Sequence, residues 1–202
     1  MQWPTSYQYT EHLLPSLRNK LCTRSLIGGM ARQLLKPRNW YFLLSRANLL
    51  AFALKDEWEI DNKLVDIPIF PEWSINGTTA ETGKRFRFKQ KNFGDYLLGY
   101  ASSKNFPLAN ALAVSAGFPG GIGPLVIQAE SYEWKKRKTW NELEENQLTI
   151  SPLYPRFHVY DGGVYDNLGL EPFFNAGRGA LKESLPSTTQ LIVSDASTPL
   201  EK

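Results

Sequence analysis

The run Asp161-Gly162-Gly163-Val164-Tyr165-Asp166-Asn167-Leu168-Gly169 holds the residues whose types and spacing are best suited to chemistry. Arg156 to Tyr160 reads as a strand, so Asp161 stands at its carboxyl end, where open α/β sheets gather their ligands. The two glycines that follow let the backbone turn sharply and approach a neighbour that a Cβ would strike. A second reading fits the same residues: Asp161 caps a helix that starts near Asp166, in a common turn composition. Spacing alone leaves both open.

Rival chemistries have few residues to draw on. The chain has two histidines, His12 and His158, and one cysteine, Cys22. A single cysteine excludes an intramolecular disulfide framework and a multi-cysteine zinc site. His158 lies three residues before Asp161, and an odd offset on a strand sends the two side chains to opposite faces. It is therefore expected to pack or face solvent as an ordinary strand residue. His12 has no motif around it. Lys plus Arg is 23 and Asp plus Glu is 20, a formal net charge of +3, too balanced for bulk nucleic-acid binding. At 42% hydrophobic and 21% charged over 202 residues, the composition is that of a globular chain with a sizeable core.

A strand that ends at Asp161 needs a sheet around it. The first third of the chain, to about Lys55, is helical in pattern. Tyr9 to Leu21 and Leu26 to Leu35 carry apolar residues at three- and four-residue spacings, and Pro37 closes the second run. The most apolar stretch, Trp40 to Leu54, falls short of the ~20 residues that cross a bilayer. Its polar positions Ser45, Asn48 and Lys55 fall at helical spacing, which predicts a mostly buried core helix. Beyond Asp61 the punctuation shifts to Pro68, Pro71, Gly77, Gly83 and Pro107. Trp73 to Thr79 and Arg85 to Lys89 read as strands joined through Ala80-Glu81-Thr82-Gly83, a β-hairpin. Leu108 to Ala116 reads as a short helix ended by Gly117, and Leu125 to Ala129 as a strand. Asp166 to Ala176 is expected to be helical and Gln190 to Ser194 a buried strand. Strand, helix and strand at this spacing predict βαβ units, hence an α/β fold with a mostly parallel sheet and flanking helices.

Four ordered stretches resemble the C-terminal part of the catalytic domain of bacterial patatin-like phospholipases. They are Pro71 to Thr79 with Thr82-Gly83, Gly94-Asp95-Tyr96-Leu97-Leu98-Gly99-Tyr100, Leu108 through Phe118-Pro119, and Asp161 through Gly169. Ile192-Val193-Ser194-Asp195-Ala196 is similar to the next strand of that family. The resemblance covers roughly residues 60 to 200 and implies a partial patatin-like fold, with residues 1–60 as a helical insert within one domain. It also implies a lipid acyl hydrolase working through a Ser–Asp dyad without a histidine, and neither a metal nor an organic cofactor. The family aspartate of the DG[GA] motif maps onto Asp161, with Gly162 and Gly163 as its glycines.

The nucleophile of that family sits in a G-x-S-x-G elbow, and no such pattern occurs in these 202 residues. The nearest serine match is Ala113-Val114-Ser115-Ala116-Gly117, on a segment that reads as helix rather than as a strand-to-helix elbow. Ser115 is accordingly expected to be structural. The nucleophile and oxyanion hole would then belong to an upstream segment or to a separate partner chain that carries G-x-S-x-G. The rival expectation is a non-catalytic remnant or binding module of the same fold. The partner implied is a lipid or ester substrate. Two basic stretches, Lys84 to Lys91 and Lys135 to Lys138, suit either peripheral contact with anionic headgroups or solvated surface balanced by Glu142, Glu144 and Glu145. The N-terminal residues show no basic region followed by an apolar run, so the expected location is cytoplasmic, either free or peripheral to a membrane.

Overall fold

The computed structural model describes residues 11, 12, 14–138, 146–175, 177–183 and 185–194. Arg85-Phe86-Arg87-Phe88 shows how the sheet is made. Its side chains alternate between two faces, and Phe86 and Phe88 are fully buried while the arginines are half-buried on the other side. This strand, β2 (Arg85–Phe88), pairs antiparallel with β1 (Ile75–Thr79), so that Thr78 lies opposite Arg85 and Ile75 opposite Phe88. Gly83 closes the hairpin at φ 62°, a backbone conformation that favours glycine. β3 (Asn92–Asp95) and β4 (Gly99–Ser102) continue the meander through short turns. β6 (Trp134–Lys136) and β7 (Leu148–Ile150) extend it on one side. β8 (Arg156–Asp161) pairs with β1 on the other side and then with β5 (Leu125–Gln128), giving the order β5-β8-β1-β2-β3-β4-β6-β7.

Every pairing of described strands in this sheet is antiparallel, which corrects the expectation of a mostly parallel sheet. The fold is mixed α/β. The connections explain the difference. β1 through β4 are joined by turns too short for a parallel crossover, which needs a dozen or more residues. Helix Leu108–Val114 does lie between two strands in sequence, but these are β4 and β5, which are far apart in the sheet.

Phe86, Phe88, Phe93, Phe106, Trp134 and Phe157 fill one face of the sheet, with the Phe93 and Phe106 rings 4.4 Å apart. Two helices reach that face, through Ala47 and through Ala111 and Val114. α1 (Leu14–Thr23) and α2 (Leu26–Leu34) precede α3 (Arg46–Trp58) and α4 (Leu108–Val114). Leu50, Ala51 and Leu54 of α3 meet Ala109 and Ala113 of α4 in a second apolar cluster. Asn48 of α3 docks the helix on the edge strand β5. Its amide nitrogen donates to the Val126 carbonyl at 3.0 Å and its oxygen accepts from the Val126 N–H at 2.8 Å. Both groups would otherwise be left on an open sheet edge.

Three expected elements differ. The helix expected over Trp40 to Leu54 starts only at Arg46, because Pro37–Phe42 forms a 3-10 turn and Leu44 is exposed. The helix expected over Asp166 to Ala176 is a single turn, α5 (Gly163–Asp166), stopped by Gly169 at φ 65° and by Pro172. After it, β9 (Phe174–Asn175) pairs with β10 (Ala180–Leu181). Gln190 to Ser194 forms no strand; it has no ladder partner among the described residues, and Ile192 is exposed. Tyr9, Trp140, Glu142, Glu144, Glu145, Ala176, Asp195 and Ala196 lie outside the described residues. No helix among the described residues is long and apolar enough to cross a membrane.

Candidate functional site

Asp161 is the last residue of β8, in register with Gly77 of β1. Its main chain is held from both sides. The Asp161 N–H donates to the Gly117 carbonyl at 3.1 Å, and the Thr78 hydroxyl donates to the Asp161 carbonyl at 3.0 Å. Gly77 must be small for this contact. A Cβ there would stand 2.5 Å from a Val159 methyl and 2.9 Å from a Val114 methyl, both tighter than packed side chains allow.

The half-buried carboxylate is used asymmetrically. Oδ1 accepts from the Gly163 N–H at 2.6 Å, the first residue of α5, whereas Oδ2 takes no hydrogen bond from the described residues. Asp161 is not the cap of this helix: Gly162 is its N-cap and has no side-chain cap bond, and the Gly163 contact closes an Asx-type turn that engages only one oxygen. An acid fixed by one oxygen can still accept a hydrogen bond or a proton at the other.

Gly162 and Gly163 are required by close approach and not by dihedral angle. Gly162 has φ −62° and ψ −29°, which any residue can adopt. A Cβ on it, however, would lie 2.8 Å from the Asn76 carbonyl oxygen, and one on Gly163 would lie 2.8 Å from Asn167 Oδ1. The first obstacle is backbone and cannot swing aside. Gly162→Val should therefore lower stability by about 1–3 kcal/mol, as overpacking does. Urea denaturation of the variant checks this, and unchanged stability would show that the turn has room to spare.

The other candidates fall away from this centre. In the ladder, Asp161 shares a face with Val159 and Phe157, while His158 lies on the opposite face with Tyr160. His158 Nδ1 is 2.7 Å from Glu81 Oε1, and its N–H donates to the same carboxylate. The histidine therefore braces the β1–β2 turn. Ser115 is the exposed C-cap of α4 and makes no hydrogen bond with Asp161. Comparison with protein-family models, curated proteins and solved structures finds no match to this chain. The Asp161 site therefore has to be judged on its own geometry. No three His, Cys, Asp or Glu side chains gather as a metal site among the described residues. Thr78, Gly77, Gly117 and Asn76 are positioning residues that sequence reading did not assign. They fall within two of the motif stretches, Pro71 to Thr79 and Leu108 through Pro119, and the pair Gly77-Thr78 marks a strand position where small residues allow close approach.

Proposed function

We propose that this chain supplies the carboxylate base of a patatin-like lipid acyl hydrolase. The observation that carries the reading is the Asp161 carboxylate, anchored through Oδ1 and open at Oδ2 on a main chain pinned to Gly117 and Thr78. In this scheme a serine from a G-x-S-x-G segment outside these 202 residues places its hydroxyl against Oδ2. Asp161 takes the serine proton as the oxygen attacks the ester carbonyl, and returns it to the departing alcohol. Water then gives its proton to the same carboxylate as its oxygen attacks the acyl-serine; the serine–acyl bond breaks, the proton passes to the departing serine oxygen and the fatty acid is released. The order of the four motif stretches around Asp161 supports the same assignment.

The test is covalent labelling with a fluorophosphonate, which traps a serine only when a base and oxyanion donors accompany it. Residues 1–202 alone should remain unlabelled, since losing a single oxyanion donor already costs about 10²–10³ in rate. Adding a chain that carries the G-x-S-x-G segment should restore labelling of that serine. Labelling of the isolated chain at a serine, removed by mutating that residue, would overturn the division of labour. Failure of every such complement would favour the binding-module reading.

A further inference from the structure

Sheet register carries one row of side chains across four strands on the face opposite the phenylalanine core. Arg87 of β2 lies opposite Gly94 of β3, Gly94 opposite Tyr100 of β4, and Tyr100 opposite Lys135 of β6. Tyr100 braces two guanidinium groups. Arg87 donates to its hydroxyl at 2.7 Å, and Arg137, just beyond β6, lies over its ring with Cζ 4.6 Å from the centroid. The two basic stretches of the sequence, 50 residues apart, thus meet on one surface.

On this face the two ends of β2 are treated differently. At one end, Arg85 is covered by the segment after α5 and pairs with Glu171 at 2.9 Å; burial pushes its pKa below the ordinary arginine value, and Glu171 opposes that shift. At the other end a cleft of about 350 Å³ is lined by Arg87, Lys89, Lys91 and Arg137, with Glu72 as its one carboxylate. Glu72 pairs with Lys89, and the lining as a whole carries four cationic side chains against that one carboxylate. Arg137 Nε is buried without a hydrogen-bond partner among the described residues. A buried donor of this kind costs stability until an acceptor reaches it. At the rim stand Ile69, Trp73 and the neighbouring Phe70, exposed by 70%, 38% and 85% respectively.

We propose that this cleft binds a phosphate group, carried either by a lipid headgroup or by a free phosphorylated molecule. Two guanidinium groups and two ammonium groups in the lining suit a multiply charged, oxygen-rich anion. The apolar rim accommodates the group attached to the phosphate. None of the cleft residues belongs to the Asp161 turn, so the inference stands apart from the hydrolase reading.

Two probes separate the sources: pyrophosphate measured by calorimetry, and sedimentation with phosphatidylcholine vesicles with and without phosphatidic acid. Saturable binding of pyrophosphate assigns a soluble ligand; binding only to the phosphatidic acid vesicles assigns a headgroup. In either arm Arg137→Gln should weaken binding at least about tenfold, because a charge-assisted donor is lost from the centre of the site. Lys91→Gln, at an exposed position that leaves the fold undisturbed, should weaken it by a smaller factor. Lys104→Gln makes the same charge change outside the cleft and should leave binding unaltered. Binding to neither probe would overturn the proposal. Equal losses for Lys91→Gln and Lys104→Gln would also overturn it, by reducing the effect to overall charge.

Discussion

Asp161→Asn should remove turnover from the reconstituted hydrolase while leaving the fold unchanged. The substitution is nearly isosteric, and its retained oxygen can still accept from the Gly163 N–H that Oδ1 engages at 2.6 Å. The main-chain bonds to Gly117 and Thr78 do not involve the side chain and survive. What is lost is the second oxygen, which in the amide becomes a donor and cannot take the serine proton. Losing a general base costs about 10²–10⁴ in rate, and the loss should fall on kcat because the carboxylate acts on the reacting proton. Ser115→Ala provides the contrast and should keep most of the activity, since Ser115 is an exposed helix cap without a bond to Asp161. The pair is measured as kcat on a short-chain ester beside circular dichroism. If Ser115→Ala abolished activity with an intact spectrum, the nucleophile would lie in this chain. If Asp161→Asn retained activity, the base would lie elsewhere.

Local pattern carried the hairpin and motif readings, and non-local pairing decided the rest. Arg85-Phe86-Arg87-Phe88 reads as a half-buried strand from its alternation, and Gly83 marks the turn before it; both features act within a few residues. The direction of pairing is not local. β5 and β8 were both legible as strands, yet nothing between them shows that they pair antiparallel, with Leu125 opposite Val159. The helix expected after Asp166 failed because Gly169 and Pro172 outweighed a weak apolar period. Asp161 was legible as a strand-end acid, but its two main-chain anchors come from residues 44 and 83 positions away in the sequence. The basic stretches were each visible, whereas their meeting depends on the ladder from β2 through β3 and β4 to β6.

Asp95→Ala should be strongly destabilising, and its comparison with Asp95→Asn shows why. Asp95 ends β3 at 1% exposure, and its carboxylate accepts four hydrogen bonds. Oδ1 takes the N–H groups of Leu97 and Leu98, each at 2.7 Å, which shapes the turn into β4. Oδ2 takes the hydroxyls of Thr79 and Thr82, each at 2.9 Å, which ties that turn to the β1–β2 hairpin. Truncation to alanine strands several of these donors at once. Each buried unsatisfied group costs about 1–3 kcal/mol, so a total loss of at least about 3 kcal/mol is expected. Asparagine has a different fate. Its oxygen can keep both turn N–H groups, and its amide can donate to the two threonine oxygens once their hydroxyls rotate. Thr79 has somewhere to turn, since the Lys84 carbonyl lies 3.4 Å from its oxygen. The loss for asparagine should therefore be nearer about 1 kcal/mol, the net worth of one hydrogen bond. Urea unfolding followed by tryptophan fluorescence measures both variants, and Trp134 in the core reports on the same sheet. Equal losses would mean that negative charge, rather than the saturated set of four bonds, is what this position requires. A larger loss for alanine would place Asp95 as the clamp between two turns, its partner Thr79 standing one residue along β1 from the Thr78 that holds Asp161.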